Sequence, residues 1–290
     1  MNKNNVEKWV ILLILSIIWG SSFILMKKSL IYFNYLEVAF FRLIIAFFTL
    51  SPFFISSIKN IKTFHIFPIL IVSIIGTILP AIIFAYAQNY LDSANAGMLN
   101  ALTPIFTFFL GIIFYRNKWY NTNIIGLIIG LLGSYILLLP SNINMVQTKY
   151  SLLVILATFC YALSINTIKE KLHSLRPLDI AVISSFISFI IPTIFIINQG
   201  INNSLVKIHQ NISSFIYIII LGVVCTSLAI VLFNYLIQKT SALFGSSTTY
   251  LIPVFAILWG IVDNEIINNH EIFGVIIILS GVFIMNYKKL

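Results

Sequence analysis

Charged side chains and cysteines are scarce in this 290-residue chain. Charged residues make up 9% of the sequence, whereas soluble globular domains have about 25%, so an ordinary soluble fold is excluded. The sequence has two cysteines, Cys160 and Cys225, and both fall inside apolar segments. Their placement argues against a disulfide framework and against a metal site. We expect the protein to need no metal and no cofactor.

Acidic side chains and histidines are missing from the middle of every long apolar segment. All eight acidic residues and all four histidines lie at or beyond the ends of these segments. A bilayer interior would therefore hold no carboxylate that relays protons. It would also lack the paired carboxylates, the His-Glu-x-x-His motif or the Ser–His pair of an intramembrane enzyme. We expect a protein that is neither an enzyme nor a proton pump with an embedded carboxylate relay.

Apolar sequence is what the chain has in abundance. Hydrophobic residues make up 60% of it, and the mean hydropathy is +1.03. Ten apolar runs are long enough to cross a hydrocarbon core of about 30 Å as helices, which satisfy their backbone groups within the segment. We predict an all-α integral membrane protein with ten transmembrane helices. The predicted spans are residues 9–28, 36–57, 64–90, 94–115, 123–140, 150–171, 177–198, 213–238, 241–262 and 271–287.

The two halves of the chain repeat one another. An offset of 149 residues carries Tyr86 onto Tyr235 and superimposes several positions of the fourth and ninth spans: Leu102 on Leu251, Pro104 on Pro253, Phe106 on Phe255, Gly111 on Gly260 and Ile112 on Ile261. We predict two domains of five helices each, residues 1–142 and 143–290. A secretory signal cleaved near Gly20 is the alternative for the first span. It would leave the first repeat one helix short, which the symmetry argues against.

Five spans in each repeat place the second repeat in the membrane upside down. Basic residues favour the N-terminal side by about three to one, so we expect both termini in the cytoplasm and the protein in the cytoplasmic (inner) membrane. Arg116 ends the fourth span and Glu265 the ninth, as inversion requires. The net charge of +9 comes mostly from loops that orient helices, so we expect no nucleic-acid partner. Inverted repeats are typical of secondary transporters, which bind their solute between the repeats.

The first two spans carry a further pattern. It consists of Ile18-Trp19-Gly20-Ser21-Ser22-Phe23, Lys27, Phe41-Arg42-Leu43 and Ala46. This pattern resembles the start of an EamA domain of the drug/metabolite transporter superfamily, and Leu102-Thr103-Pro104, Pro253 and Gly260-Ile261 resemble the rest. The resemblance implies two EamA repeats forming a ten-helix inner-membrane carrier for export of amino acids, related metabolites or toxic analogues. The second repeat departs from the pattern, with Tyr161 in the region of Trp19 and Ser184 at the position of Arg42.

The predicted function is secondary transport of a small organic metabolite by alternating access, with efflux favoured by the family resemblance. Uptake, exchange and a permanent channel are the alternatives. The expected partners are the solute and membrane lipid, and both a monomer and a homodimer are open. Because no carboxylate is placed at the midplane, we expect the solute's own gradient to drive transport and collapse of the pH gradient to leave the flux unchanged.

Four candidate substrate-binding residues lie in the first, second and sixth spans. Trp19 and Ser22 lie near the middle of the first span and Tyr161 in the matching part of the sixth; they line a pocket or pack helices together. Arg42 is the one charge clearly inside a span. It either attracts an anionic or zwitterionic solute, together with nearby Lys27 and Lys28, or extends to the outer headgroups.

The two remaining candidates, Asn100 and Thr249, stand four residues before Pro104 and Pro253. A proline frees the carbonyl four residues earlier, so we predict a helix kink in each repeat. The polar groups at each kink either bind the solute or form hydrogen bonds with one another.

Two tyrosines and a row of glycines complete the candidates. Tyr86 and Tyr235 are expected toward opposite membrane faces, as gates of the cavity or as interfacial belt residues. Gly126, Gly130 and Gly133 form a stripe of small residues on the fifth span. The stripe serves close packing within one protomer or a dimer contact.

Overall fold

The structure is a computed structural model that describes residues 3–115, 120–137, 145–199, 201–263 and 269–286. Within these ranges the regular structure is helical, and no strand is present. The α-helices are α1 (Lys3–Ser29), α2 (Tyr35–Leu50), α3 (Phe54–Ile58), α4 (Thr63–Leu70), α5 (Leu79–Ala87), α6 (Ser93–Leu99), α7 (Thr103–Tyr115), α8 (Asn121–Leu137), α9 (Met145–Lys171), α10 (Pro177–Gln199), α11 (Ile201–Gln210), α12 (Ile212–Gly222), α13 (Ala229–Lys239), α14 (Ala242–Ser246), α15 (Thr248–Val262) and α16 (Asn269–Asn286).

Eight helical stretches in the described ranges are long and apolar enough to cross a membrane. They are Val6–Ser29, Tyr35–Ile58, Thr63–Ala87, Ser93–Tyr115, Thr148–Lys171, Pro177–Asn198, Ile212–Lys239 and Ala242–Val262. These correspond to eight of the ten predicted spans. The fifth and tenth correspond to α8 and α16, whose apolar parts, Asn121–Gly133 and Ile272–Met285, are shorter. The predicted ends of these two spans, residues 138–140 and 287, lie outside the described residues, as do Arg116 and Glu265.

Two of the membrane-length stretches change their helical winding midway, which the sequence analysis did not predict. A π-helical segment, Ile71–Ile78, joins α4 to α5, and a second, Val223–Leu228, joins α12 to α13. The offset of 149 residues places the two segments over one another in part. π-Helical turns are rare and frequently occur at functional sites.

The polar connection predicted between the seventh and eighth spans contains helix α11. Apolar residues at positions 201, 205 and 208 recur at helical spacing, which explains why this stretch forms a helix. Ile208 packs against the apolar core, and the Lys207 ammonium forms an ion pair of 2.6 Å with Glu37 at the start of α2. The connection is therefore fastened to the first half of the chain.

Close packing of α1 against α15 joins the two halves of the chain. A Cβ atom on Gly20 would lie 2.5 Å from the Cβ of Phe255 and 3.1 Å from the Ile252 carbonyl oxygen. A larger residue at position 20 would therefore push the helices apart. The glycine of the Trp-Gly-Ser-Ser pattern thus serves helix packing, and its neighbour Ser21 accepts a hydrogen bond of 2.7 Å from the Trp259 indole N–H of the same helix α15.

The glycine stripe of α8 packs against α16 within the same chain. A Cβ atom on Gly126 would lie 2.6 Å from the Gly281 carbonyl oxygen, and one on Gly133 would lie 2.9 Å from that of Gly274. Gly130 faces the ring of Tyr250. Small residues of this kind let two membrane helices approach closely.

We expect Gly126→Val to destabilise the protein by about 1–3 kcal/mol, because the added methyl groups overlap the α16 backbone. The measurement is the thermal unfolding midpoint of the purified protein in detergent. Ile125→Val on the same helix is the control, because Ile125 is 50% exposed on the outer surface. Equal midpoints for the two variants would contradict the packing described for α8 and α16.

Candidate solute-binding cavity

A cavity of about 120 Å³ lies among the helices of both halves. Its wall combines aromatic and aliphatic side chains with a few polar groups, which is typical of small-molecule sites. The structure brings all six candidate substrate-binding residues into this wall: Trp19, Ser22, Arg42, Asn100, Tyr161 and Thr249.

Arg42 reaches across the cavity wall from α2 to the π-helical segment Val223–Leu228. Its Nε and Nη2 atoms donate to Thr226 Oγ1 over 3.1 and 3.0 Å. The Thr226 hydroxyl donates in turn to the Leu221 carbonyl oxygen over 2.7 Å. The guanidinium therefore binds the protein interior instead of extending to headgroups. Within the described residues, no carboxylate forms an ion pair with it.

Aromatic rings from both halves line the apolar part of the wall. The Trp19 indole N–H donates to the Cys225 carbonyl oxygen over 3.1 Å, and its ring meets Phe233 edge-on with centroids 4.8 Å apart. Phe84 stacks on Tyr161 with centroids 5.9 Å apart. Trp19 therefore has both of the roles predicted as alternatives: it packs against another helix and it lines the cavity.

The polar residues before Pro104, in the first repeat, form hydrogen bonds with one another. Thr103 Oγ1 donates to the Asn100 carbonyl oxygen, which Pro104 leaves without its usual partner, over 2.8 Å. The same hydroxyl lies 3.0 Å from Asn100 Oδ1. In the second repeat, Thr249 Oγ1 donates to the Ser246 carbonyl oxygen over 2.8 Å.

The regular α-helix is interrupted within two residues of Pro104 and six residues before Pro253. Pro104 is the second residue of α7 and follows a single 3-10 turn, Asn100–Leu102. Pro253 lies inside α15, and Ser247 separates α15 from α14. The helical winding therefore changes beside Asn100 and Thr249, which line the cavity, and a kink at either proline stays a prediction.

The two candidate gating tyrosines lie at opposite ends of the bundle, away from the cavity wall. Tyr86 packs among Tyr35, Tyr90 and Tyr150, with ring centroids 4.8 to 5.9 Å from its own. Tyr235 donates its hydroxyl to Glu7 Oε1 over 2.8 Å near the beginning of α1. Since Tyr35 begins α2 just after the far end of α1, these contacts separate the two tyrosines along the bundle. Their gating role stays a prediction.

Lys27 and Lys28 do not join Arg42 at the cavity, contrary to the expectation from sequence. Both form ion pairs with Asp263 just after α15, and the Lys27 pair measures 2.9 Å. Hydrogen bonds from Lys28 and Lys27 hold the pKa of Asp263 below its usual value. The two lysines thus fasten the end of α1 to the other half of the chain.

Several wall residues were missed by the sequence analysis, among them Thr77, Ser164, Thr226 and Phe233. Threonine and serine are common in membrane helices and usually bond to their own backbone, so each by itself gave no signal. One signal was available, because the offset of 149 residues carries Thr77 onto Thr226.

Comparison with known proteins identifies a family match in each half of the chain. The model of the EamA-like transporter family matches residues 7–139 and again residues 148–287. The two matched segments fall on either side of the predicted boundary between residues 142 and 143.

Two relatives and one solved structure extend the likeness along the chain. An uncharacterized transporter of Archaeoglobus fulgidus is 24% identical over 284 residues, covering 98% of this chain and 100% of that protein. An uncharacterized transporter in the trpA 3' region of Buchnera aphidicola subsp. Schlechtendalia chinensis is 26% identical over 278 residues, covering 88% and 87%. A crystal structure superimposes with a TM-score of 0.68 at 12% identity, covering 98% and 97%. That last likeness shows the fold alone.

We expect Asp263→Asn to lower the unfolding midpoint at pH 7, because the variant loses both ion pairs. The folded-state pKa of Asp263 is lowered, so the stabilisation is present above the unfolded value, about 3.9. It is lost as the pH falls through the folded-state value. The difference from wild type is therefore expected to shrink as the pH falls below the unfolded value. The lysines are 35% and 39% exposed, so the effect is small and decreases with salt.

The measurement is thermal unfolding of both proteins in detergent at a series of pH values from about 7 down to about 2. Asp92→Asn, at an exposed residue before α6, is the control for loss of an acidic charge. A difference between Asp263→Asn and wild type that stays constant over this pH range would contradict the prediction.

Proposed function

We propose that this chain, which belongs to the EamA-like transporter family, is a carrier for a small organic solute that bears a carboxylate. An amino acid or a related metabolite fits this description. We further propose that the chain lies in the cytoplasmic membrane, with both termini inside, and moves the solute outward. The observation that carries the proposal is the Arg42 guanidinium in the cavity wall, bound to Thr226 and to no carboxylate of the described residues.

The charge of Arg42 supports an anionic group on the solute. A cation within a membrane is costly unless protein, water or a partner receives it. Thr226 accepts from two nitrogen atoms of the guanidinium, and a guanidinium has five N–H groups. The remaining donors suit a carboxylate, because charge-assisted hydrogen bonds to a carboxylate are short and strong.

The rest of the wall supports a solute that also has an apolar part. Trp19, Phe84, Tyr161 and Phe233 contribute aromatic rings from both halves of the chain. Flat rings of this kind bury apolar area while their polar edges find hydrogen-bond partners. The cavity volume of about 120 Å³ suits a small metabolite better than a large drug-sized molecule.

The repeated halves support alternating access. We propose that α8 and α16 complete a bundle of ten transmembrane helices, and that the second repeat is inverted relative to the first. In such carriers one repeat rocks against the other around a fixed site. The tyrosine cluster around Tyr86 then closes one end of the cavity, and the contact of Tyr235 with Glu7 closes the other.

The test of this function is counterflow in vesicles that contain the purified protein. Vesicles loaded with an unlabelled amino acid are diluted into the same amino acid in radiolabelled form, at equal pH inside and outside. For at least one of leucine, phenylalanine and threonine, we expect transient and saturable accumulation of label without any pH gradient. A channel gives no counterflow, so absence of accumulation with every compound would contradict the carrier.

Arg42→Gln is expected to lower the initial counterflow rate by a factor of about ten or more, because the loss of one charge-assisted hydrogen bond has an effect of this size. Arg42→Lys is expected to fall in between, because lysine keeps the charge but loses the planar fork. The amount of folded protein is measured by size-exclusion chromatography, and Arg176→Gln, at an exposed residue paired with Asp179, is the control. Equal losses of rate and of folded protein in Arg42→Gln would assign Arg42 to structure.

The inverted arrangement predicts opposite locations for reporters fused after Tyr115 and after Val262. A reporter after Tyr115 is expected in the cytoplasm and one after Val262 outside, because each link follows the fourth helix of its repeat. Paired cytoplasmic and periplasmic reporter enzymes measure this in cells. Both reporters on one side of the membrane would overturn the inverted arrangement.

A further inference from the structure

A symmetry-related pair of threonines lies in the cavity wall. Thr77, in the π-helical segment Ile71–Ile78, donates its hydroxyl hydrogen to the Val72 carbonyl oxygen over 3.0 Å. Thr226 makes the same bond to Leu221 over 2.7 Å. Both bonds reach five residues back along the chain. The offset of 149 residues carries Thr77 onto Thr226 and Val72 onto Leu221, so both halves build the same polar turn at the same place.

The two threonines differ in what approaches them. A hydroxyl that has donated its hydrogen has only lone pairs left to offer. Those of Thr226 receive the guanidinium of Arg42. In the second half, Ser184 takes the place of Arg42 in the EamA-like pattern, and its hydroxyl donates to the Ala181 carbonyl oxygen over 3.1 Å. Ser184 is not among the described residues that line the cavity, so no counterpart of Arg42 is provided for Thr77.

Thr77 is also more exposed than the other hydroxyl-bearing residues of the wall that donate to their own helices. Ser22, Thr103 and Thr249 likewise donate to their own helices, but they are 7%, 0% and 4% exposed. Thr77 is partly exposed. Beside it, a Cβ atom on Gly76 would lie 2.2 Å from Ser164 Oγ, so a second hydroxyl of the wall adjoins this turn.

We propose that Thr77 is a specificity-determining residue that accepts a hydrogen bond from an ammonium group of the solute. This inference rests on the proposed function and adds a second polar contact to it. No carboxylate of the described residues lines the cavity, so an ammonium group there is received by neutral oxygen atoms, of which Thr77 offers an exposed one, and by the faces of aromatic rings. One solute is thus recognised at two symmetry-related turns, by its carboxylate at Arg42 and by its ammonium group at Thr77.

The test compares solutes that differ by the ammonium group alone. Leucine is paired with 4-methylpentanoate, and 6-aminohexanoate with hexanoate, so that both a short and a long separation of the two charges are covered. Affinity is measured from the rise of the unfolding midpoint of the purified protein with solute concentration. Wild type is expected to bind at least one amino compound more tightly than its partner.

Thr77→Val, which keeps the shape but removes the oxygen, is expected to weaken binding of that amino compound about tenfold. Its affinity for the compound without nitrogen is expected to stay unchanged. Thr77→Ser is expected to bind like wild type. Thr158→Val is the matched control. Thr158 is a buried threonine of α9 that does not line the cavity, and its hydroxyl donates to the Ile155 carbonyl oxygen over 2.7 Å.

The outcomes separate this inference from the proposed function. Equal affinity of wild type for both members of each pair would overturn the inference alone. Equal weakening of both members in Thr77→Val would also overturn it, because a structural defect does not select for the ammonium group. Unchanged binding of all four compounds by Arg42→Gln, or no binding by wild type, would overturn the proposed function and this inference with it.

Discussion

The hydrogen bonds from Arg42 to Thr226 are the interaction on which the arrangement of the cavity depends. A charged group within the bilayer costs roughly 3 kcal/mol or more unless the protein, water or a partner receives it. Here the receiving oxygen comes from the other half of the chain. Thr226 can accept because its own hydrogen is donated to Leu221 across the π-helical turn. The pair therefore holds α2 against the second repeat and keeps the guanidinium at the cavity wall.

Two close contacts at glycines near the Arg42–Thr226 pair shape the cavity. Gly20 brings α1 against α15, which places Trp19 in the wall on the adjoining face of the helix. Gly76 brings the π-helical turn of the first half against Ser164 of α9. Both contacts connect the two repeats, and a larger side chain at either glycine would displace a wall element. The packing of the repeats and the chemistry of the cavity are thus parts of one arrangement.

Much of the fold and of the candidate site was predictable from sequence, because unusual residues are informative in apolar surroundings. Arg42 stands out as a charge within a span, and Trp19 and Tyr161 stand out by their matching positions, and all three line the cavity. The π-helical turns and the partner of Lys27 were not predicted, and helix α11 was missed although its apolar residues recur at helical spacing. The partner of Lys27 is Asp263, far along the chain, and neither hydropathy nor residue spacing specifies such a contact.

A crystal structure of the protein with bound 4-bromophenylalanine would show directly whether Arg42 binds the solute, because the anomalous signal of bromine locates the ring. We expect the carboxylate within about 2.7–3.0 Å of the Arg42 guanidinium, with the ring among the aromatic residues of the wall. A carboxylate bound at Lys27 or Lys28, or a solute in the cavity that leaves Arg42 untouched, would contradict it.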